Sequence, residues 1–100
     1  MQLSISGHHI DVTEAIKSYI EKKFKRIARH DDHVTNAHVV ISVDRHYQRA
    51  EATLHGVGGE IFADAESDDL YAAIDQLADR VDRQILKQKE KRIDRRQGKQ

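Results

Sequence analysis

Between residues 37 and 65 apolar side chains fall on alternate positions in successive runs: Ala37, Val39, Ile41 and Val43, then Ala50, Ala52 and Leu54, then Ile61, Ala63 and Ala65. A period of two belongs to a strand with one buried face. Asp44-Arg45-His46 and Gly56-Val57-Gly58-Gly59 separate the runs at hairpin-loop lengths, and the glycines permit the positive backbone angles such turns need. These strands are therefore antiparallel neighbours with a common apolar face. Ahead of them Leu3 and Ile5 alternate with Gln2, Ser4 and Ser6, a further strand ending at Gly7.

The flanking segments change period. Val12, Ala15, Ile16, Tyr19, Ile20, Phe24 and Ile27 recur at steps of three and four and predict a helix over 12–29, with Asp11 and Glu14 placed to cap its first amides. Leu70, Ile74, Leu77, Ala78, Val81 and Ile85 predict a second, longer helix starting near Ser67 or Asp68, with acids in its first turn and bases toward its last. The order βαβββα predicts an α+β fold: a four-stranded mixed sheet with two roughly parallel helices packed on one face, double-stranded-RNA-binding-domain-like in its layout. The first strand is expected to lie parallel to the second and the rest antiparallel. The opposite face is expected to be wet and to display Ser4, Ser6, His38, Ser42, Arg49, Glu51, Thr53 and His55.

A chain of 100 residues suits one compact domain. We expect it to span 1–95, with 96–100 as a short basic tail. Cysteine is absent, which removes disulfides, thiolate nucleophiles and cysteine-type zinc sites. No apolar run approaches bilayer-spanning length, and Met1-Gln2-Leu3-Ser4 opens a strand pattern instead of a secretory signal; a cytoplasmic location is expected.

Formal charge is zero, yet it is segregated. Residues 17–30 hold six bases against one acid, net +5; residues 31–79 hold two against eleven, net −9; from Arg80 onward nine face three, net +6. Two basic blocks around an acidic centre imply an anionic partner on one side of the molecule. At about 100° per residue, Lys22, Lys25, Arg26 and Arg29 project to one flank of the first helix, and Arg80, Arg83, Lys87 and Lys91 to the same flank of the second. Parallel helices would let the two flanks merge into one broad surface for RNA phosphates, with binding that falls steeply with salt. The acidic centre is a candidate contact for a basic protein.

Catalytic readings fail on chemistry. His30-Asp31-Asp32-His33 has zinc-binding residue types but reads as the loop leaving the first helix, without three or four converging ligands. His8 and His9 fall in the turn before that helix, and His38 and His55 on the wet sheet face. Asp64, Glu66, Asp68 and Asp69 lack an apolar pocket to separate their pKa values. The glycines at 56–59 join two strands and open no helix, so they are not a phosphate cradle. No nucleophile has a base and an orienter, and no cofactor or metal is expected. Tyr71 lies close to the apolar stripe and is expected in the core; Phe62 points opposite to Ile61 and Ala63 and is expected to be exposed.

Met1-Gln2-Leu3 with Ile5 and Gly7, Val12-Thr13-Glu14-Ala15, Glu51-Ala52-Thr53-Leu54-His55, Gly58-Gly59-Glu60-Ile61, Ala63-Asp64-Ala65-Glu66, Asp69-Leu70-Tyr71-Ala72-Ala73-Ile74-Asp75 and the alternate lysines Lys87, Lys89 and Lys91 occur in that order. Over about ninety residues this succession resembles the ribosome hibernation-promoting family, which includes ribosome-associated inhibitor A. The resemblance implies a monomeric, non-catalytic protein that binds the small ribosomal subunit over the decoding region, between head and body, and blocks messenger RNA and tRNA. It also implies ribosomal-RNA contacts at Lys22, Lys23, Lys25, Arg26, Arg29, Arg80, Arg83, Lys87, Lys89 and Lys91.

The chain's length resembles the short, promoting type, in which ribosome pairing needs a separate modulation factor. An inhibitor-type relative that silences single ribosomes without pairing remains the alternative. A general double-stranded-RNA-binding domain is the other, although such domains carry lysines at the start of the second helix, where this chain has Glu66, Ser67, Asp68 and Asp69.

Overall fold

The computed structural model describes residues 1–30, 33–56 and 58–98, without the side chains of 30 and 92–98. Asp31 and Asp32 of the zinc-type stretch, Val57 of the glycine loop and residues 99–100 of the expected tail lie outside the described residues. The elements are β1 (Gln2–His8), α1 (Glu14–His30), β2 (Val34–Val43), β3 (Gln48–Gly56), β4 (Gly59–Ser67) and α2 (Leu70–Gly98). The strands form one sheet in the order β1-β2-β3-β4. β1 runs parallel to β2, with Leu3 opposite Ala37, and the other two pairings are antiparallel. The expected α+β layout is therefore present.

Both helices cover the same face. Ile16, Ile20, Phe24 and Ile27 of α1 join Leu70, Ala73, Ile74, Leu77, Val81 and Ile85 of α2 in one buried cluster with the inward residues of β2, β3 and β4. Beneath α2 the strands present mostly alanine, at positions 50, 52, 63 and 65, all buried. Small side chains there leave room for the leucines and isoleucines of the helix, each worth about 1.5–3 kcal/mol when buried.

The joints depend on backbone geometry. Gly59 takes φ +110° at the β3–β4 turn, where a side chain would be strained. Gly56 abuts the His33 carbonyl so closely that a Cβ would collide with it. Thr35 is an extra residue in β2, between the pairs Val34–Gly56 and Asn36–His55, and its hydroxyl donates to the His55 carbonyl at 3.1 Å.

Three local expectations are corrected. Thr13, not Asp11, caps α1: its Oγ1 accepts from the Ile16 amide at 3.2 Å and its carbonyl accepts from Lys17 at 2.9 Å. The second helix begins at Leu70, so the acids stand before its first turn; Asp69 caps it by accepting from the Tyr71 amide at 3.2 Å. Tyr71 is not a core residue, being 39% exposed. It meets the Tyr19 ring edge to face, 4.9 Å between centroids.

Candidate nucleic-acid interface

Contacts between the helices advance in step, Tyr19 with Tyr71 and Lys23 with Asp75, so α1 and α2 run in the same direction. On α1, Lys22, Lys25 and Arg29 are exposed opposite the buried stripe and line a groove together. Side-chain spacing on a helix explains this: positions 22, 25 and 29 fall at steps of three and four, centred about 180° from Ile20 and Phe24. Lys23 and Arg26 are turned toward α2. The Lys23 ammonium lies 3.1 Å from Asp75 Oδ1 and 5.4 Å from the centroid of the Tyr19 ring.

The α2 bases are less uniform. Arg80 donates to the backbone carbonyl of Asp64 at 2.5 Å, and Gln84 to that of Phe62 at 2.8 Å, so this flank of α2 lies along the outer edge of β4. Arg83 is 76% exposed and pairs with Asp79 one turn earlier at 3.0 Å. Lys87 and Lys91 are exposed and share the Arg80 side of the helix. Lys89 is half-buried and, by the helical step, points to roughly the opposite side from Lys87.

The two cationic faces do not merge. The groove between the helices has Lys23 and Arg26 on one wall and Asp75, Asp79 and Asp82 on the other, over Ile27 and Ala78. The bases beside the buried stripe, Lys23 and Arg26 on α1 and Arg80 and Lys87 on α2, lie on the same rotational side, but that side faces α2 in α1 and the β4 edge in α2. The flank of α2 presented to α1 is acidic. The Tyr19 hydroxyl donates to Asp75 Oδ1 at 2.6 Å. This hydrogen bond, helped by Lys23 against a smaller opposing effect of burial, holds the Asp75 carboxyl below its usual range. The same hydrogen bond, with burial and the negative charge of Asp75, raises Tyr19. The spacing of 75, 79 and 82 would have revealed this acid row on the flank opposite Arg80, Arg83 and Lys87.

The uncovered sheet face carries the other charge sign. Register aligns Ser4, His38, Thr53 and Phe62 in one row, and Ser6, Val40, Glu51 and Asp64 in the next. His38 is held by two serines, Ser4 Oγ at 2.6 Å from Nδ1 and Ser6 Oγ at 3.2 Å from Nε2. A neutral ring needs one of these hydroxyls to donate and the other to accept. Arg49 is clamped by Asp64 at 2.8 Å and Glu51 at 3.2 Å, and His55 lies 3.5 Å from Glu60. Phe62 stands 50% exposed between Glu60 and Asp64. Among the described residues no group of three or more histidines and carboxylates is placed to hold a metal ion, and no helix is long and apolar enough to cross a membrane.

Comparison with known proteins agrees with this architecture. The ribosome hibernation promoting factor of Azotobacter vinelandii is 52% identical over 98 residues, covering 98% of this chain and 92% of that protein. The solved structure of a ribosomal subunit interface protein from Coxiella burnetii superposes with a TM-score of 0.85 at 30% identity, over 90% of this chain and 99% of that one. The N-terminal domain of Protein Y from Thermus thermophilus gives a TM-score of 0.79 at 37% identity, over 85% and 96%. Residues 3–93 match the family model described as Sigma 54 modulation protein / S30EA ribosomal protein, and the chain belongs to that family.

Proposed function

We propose that the protein is a cytoplasmic ribosome hibernation factor of the stationary-phase stress response. It occupies the small subunit over the decoding region, excludes messenger RNA and tRNA, and represses translation without catalysing a reaction. The single observation that carries the reading is the near-full-length similarity to a ribosome hibernation promoting factor. The two cationic helix faces supply the means: Lys22, Lys25, Arg26 and Arg29 on α1, and Arg80, Arg83, Lys87 and Lys91 on α2, meet ribosomal-RNA phosphates, with Lys23 at the margin of the first and Lys89 an outlying contact on the other side of α2. Lysine and arginine on rigid helices match the spacing of a folded RNA backbone without reading sequence. The protein acts as a monomer off the ribosome, and pairing of silenced ribosomes requires a separate modulation factor. The acidic sheet face, with Phe62 exposed between Glu60 and Asp64, suits a basic ribosomal protein.

Co-sedimentation with small subunits across a salt series tests this, comparing wild type with Arg83→Glu/Lys87→Glu. Saturable binding that weakens with salt and is lost in the variant is the expected result. Absence of wild-type binding at low salt would overturn the ribosomal reading. Gradient profiles of whole ribosomes, with and without modulation factor, separate a pairing protein from one that silences single ribosomes.

A further inference from the structure

An acid row lines one wall of the groove between the helices. Asp75, Asp79 and Asp82 line the α2 wall of the groove directly across from Lys23 and Arg26. Asp75 is fixed in place by Tyr19 and Lys23, at 2.6 and 3.1 Å. Any single RNA backbone laid over both helices, from Lys22 and Arg29 to Arg83 and Lys87, must cross this row. Asp75 pairs with Lys23 and Asp79 with Arg83, so along this row two of the cations a phosphate would seek are already matched to carboxylates, and a close contact with a bare carboxylate costs about fivefold in water.

We propose that Asp75, Asp79 and Asp82 form a specificity element that divides the cationic surface in two. A continuous backbone, including that of an A-form duplex, is rejected, and only an RNA fold that offers two separated phosphate tracks engages both helices. The inference rests on the RNA-binding reading above and adds the class of RNA selected. It would also keep a domain with this helix-and-sheet layout from general duplex binding: the cations are present, but an acid strip interrupts them.

The test neutralises the row while preserving shape. Asp79→Asn/Asp82→Asn leaves Asp75 to anchor Tyr19 and Lys23 and, because Asp79 also pairs with Arg83, is compared with its parent in an Arg83→Gln background as well; a control, Glu60→Gln/Glu66→Gln, removes the same charge from the opposite sheet face. Binding to a generic RNA duplex of about 16–20 base pairs is read by fluorescence anisotropy between about 50 and 200 mM salt. Thermal melts verify folding, and Asp79→Asn alone replaces the double variant if that melts early. The row variant is expected to bind duplex at least about tenfold more tightly than wild type with a steeper salt dependence, and the control to change by less than about twofold. No gain in the row variant, or an equal gain in the control, overturns the proposal. Wild-type co-sedimentation with small subunits is run alongside; its failure would remove the ribosomal target, while the duplex comparison decides the role of the row independently.

Discussion

The carboxylate of Asp75 accepts from the Tyr19 hydroxyl and from the Lys23 ammonium on the same oxygen, and so ties α1 to α2 through an ionised acid at a partly exposed seam. Because the folded state lowers the Asp75 pKa, its contribution to stability is complete above the ordinary carboxylate range and is lost as pH falls through the lowered value. Tyr19 is raised, so its contribution is complete below the ordinary tyrosine value and is lost as pH rises through the raised one. Tyr19→Phe should therefore melt earlier than wild type near neutral pH, by about 1 kcal/mol or less at this exposure. The gap should narrow in melts below about pH 4, and a gap unchanged from neutral to acid pH would show that the hydroxyl does not select the ionised carboxylate. At this scale the residue types were legible and their partners were not. Lys22 and Lys23 are adjacent in sequence, yet one faces solvent and the other an aspartate across the seam. Only the packing of two helices decides that difference.

Among the elements, β4 is an edge strand whose outward carbonyls at Phe62 and Asp64 are taken by Gln84 and Arg80 of α2. An open edge invites pairing with another chain, so these two side chains protect the sheet, and Arg80 serves there in addition to its proposed place on the RNA face. Arg80→Ala/Gln84→Ala should therefore self-associate with rising concentration in sedimentation velocity, whereas Arg83→Ala, whose guanidinium lies off the edge, should stay monomeric; identical behaviour would remove the edge-guarding role. The strands were readable because one buried face imposes a strict alternation on residues 37–65. The helix starts were not, because Asp11 and Thr13, or Ser67 and Asp69, are equally good caps by type, and the choice depends on where the chain leaves the sheet. Val12 packs partly against the core ahead of α1 and leaves Thr13 to make the cap.

For the molecule as a whole, charge segregation along the sequence becomes segregation by side: bases on the helices, acids on the outer sheet face and in the seam. The two blocks were legible by counting, but their separation was not, since it requires knowing which flank of α2 meets α1. The long axis measures 54 Å, and α2, with 29 residues, accounts for about 43 Å of helix length. Its buried stripe runs from Leu70 to Ile85, and Lys87 and Lys91 follow on the same uninterrupted helix. Their heading is thus geared to the core turn by turn. One alanine inserted after Leu86 would rotate both lysines by about 100° without touching a described buried residue, while seven would restore the heading to within about 20° and slide them about 10 Å along the axis. Small-subunit binding should fall with the single insertion and recover in part with seven; equal binding by all three lengths would mean that these lysines act as loose charge. On this account the hydrophobic core serves as a protractor, setting the bearing of side chains it never contacts.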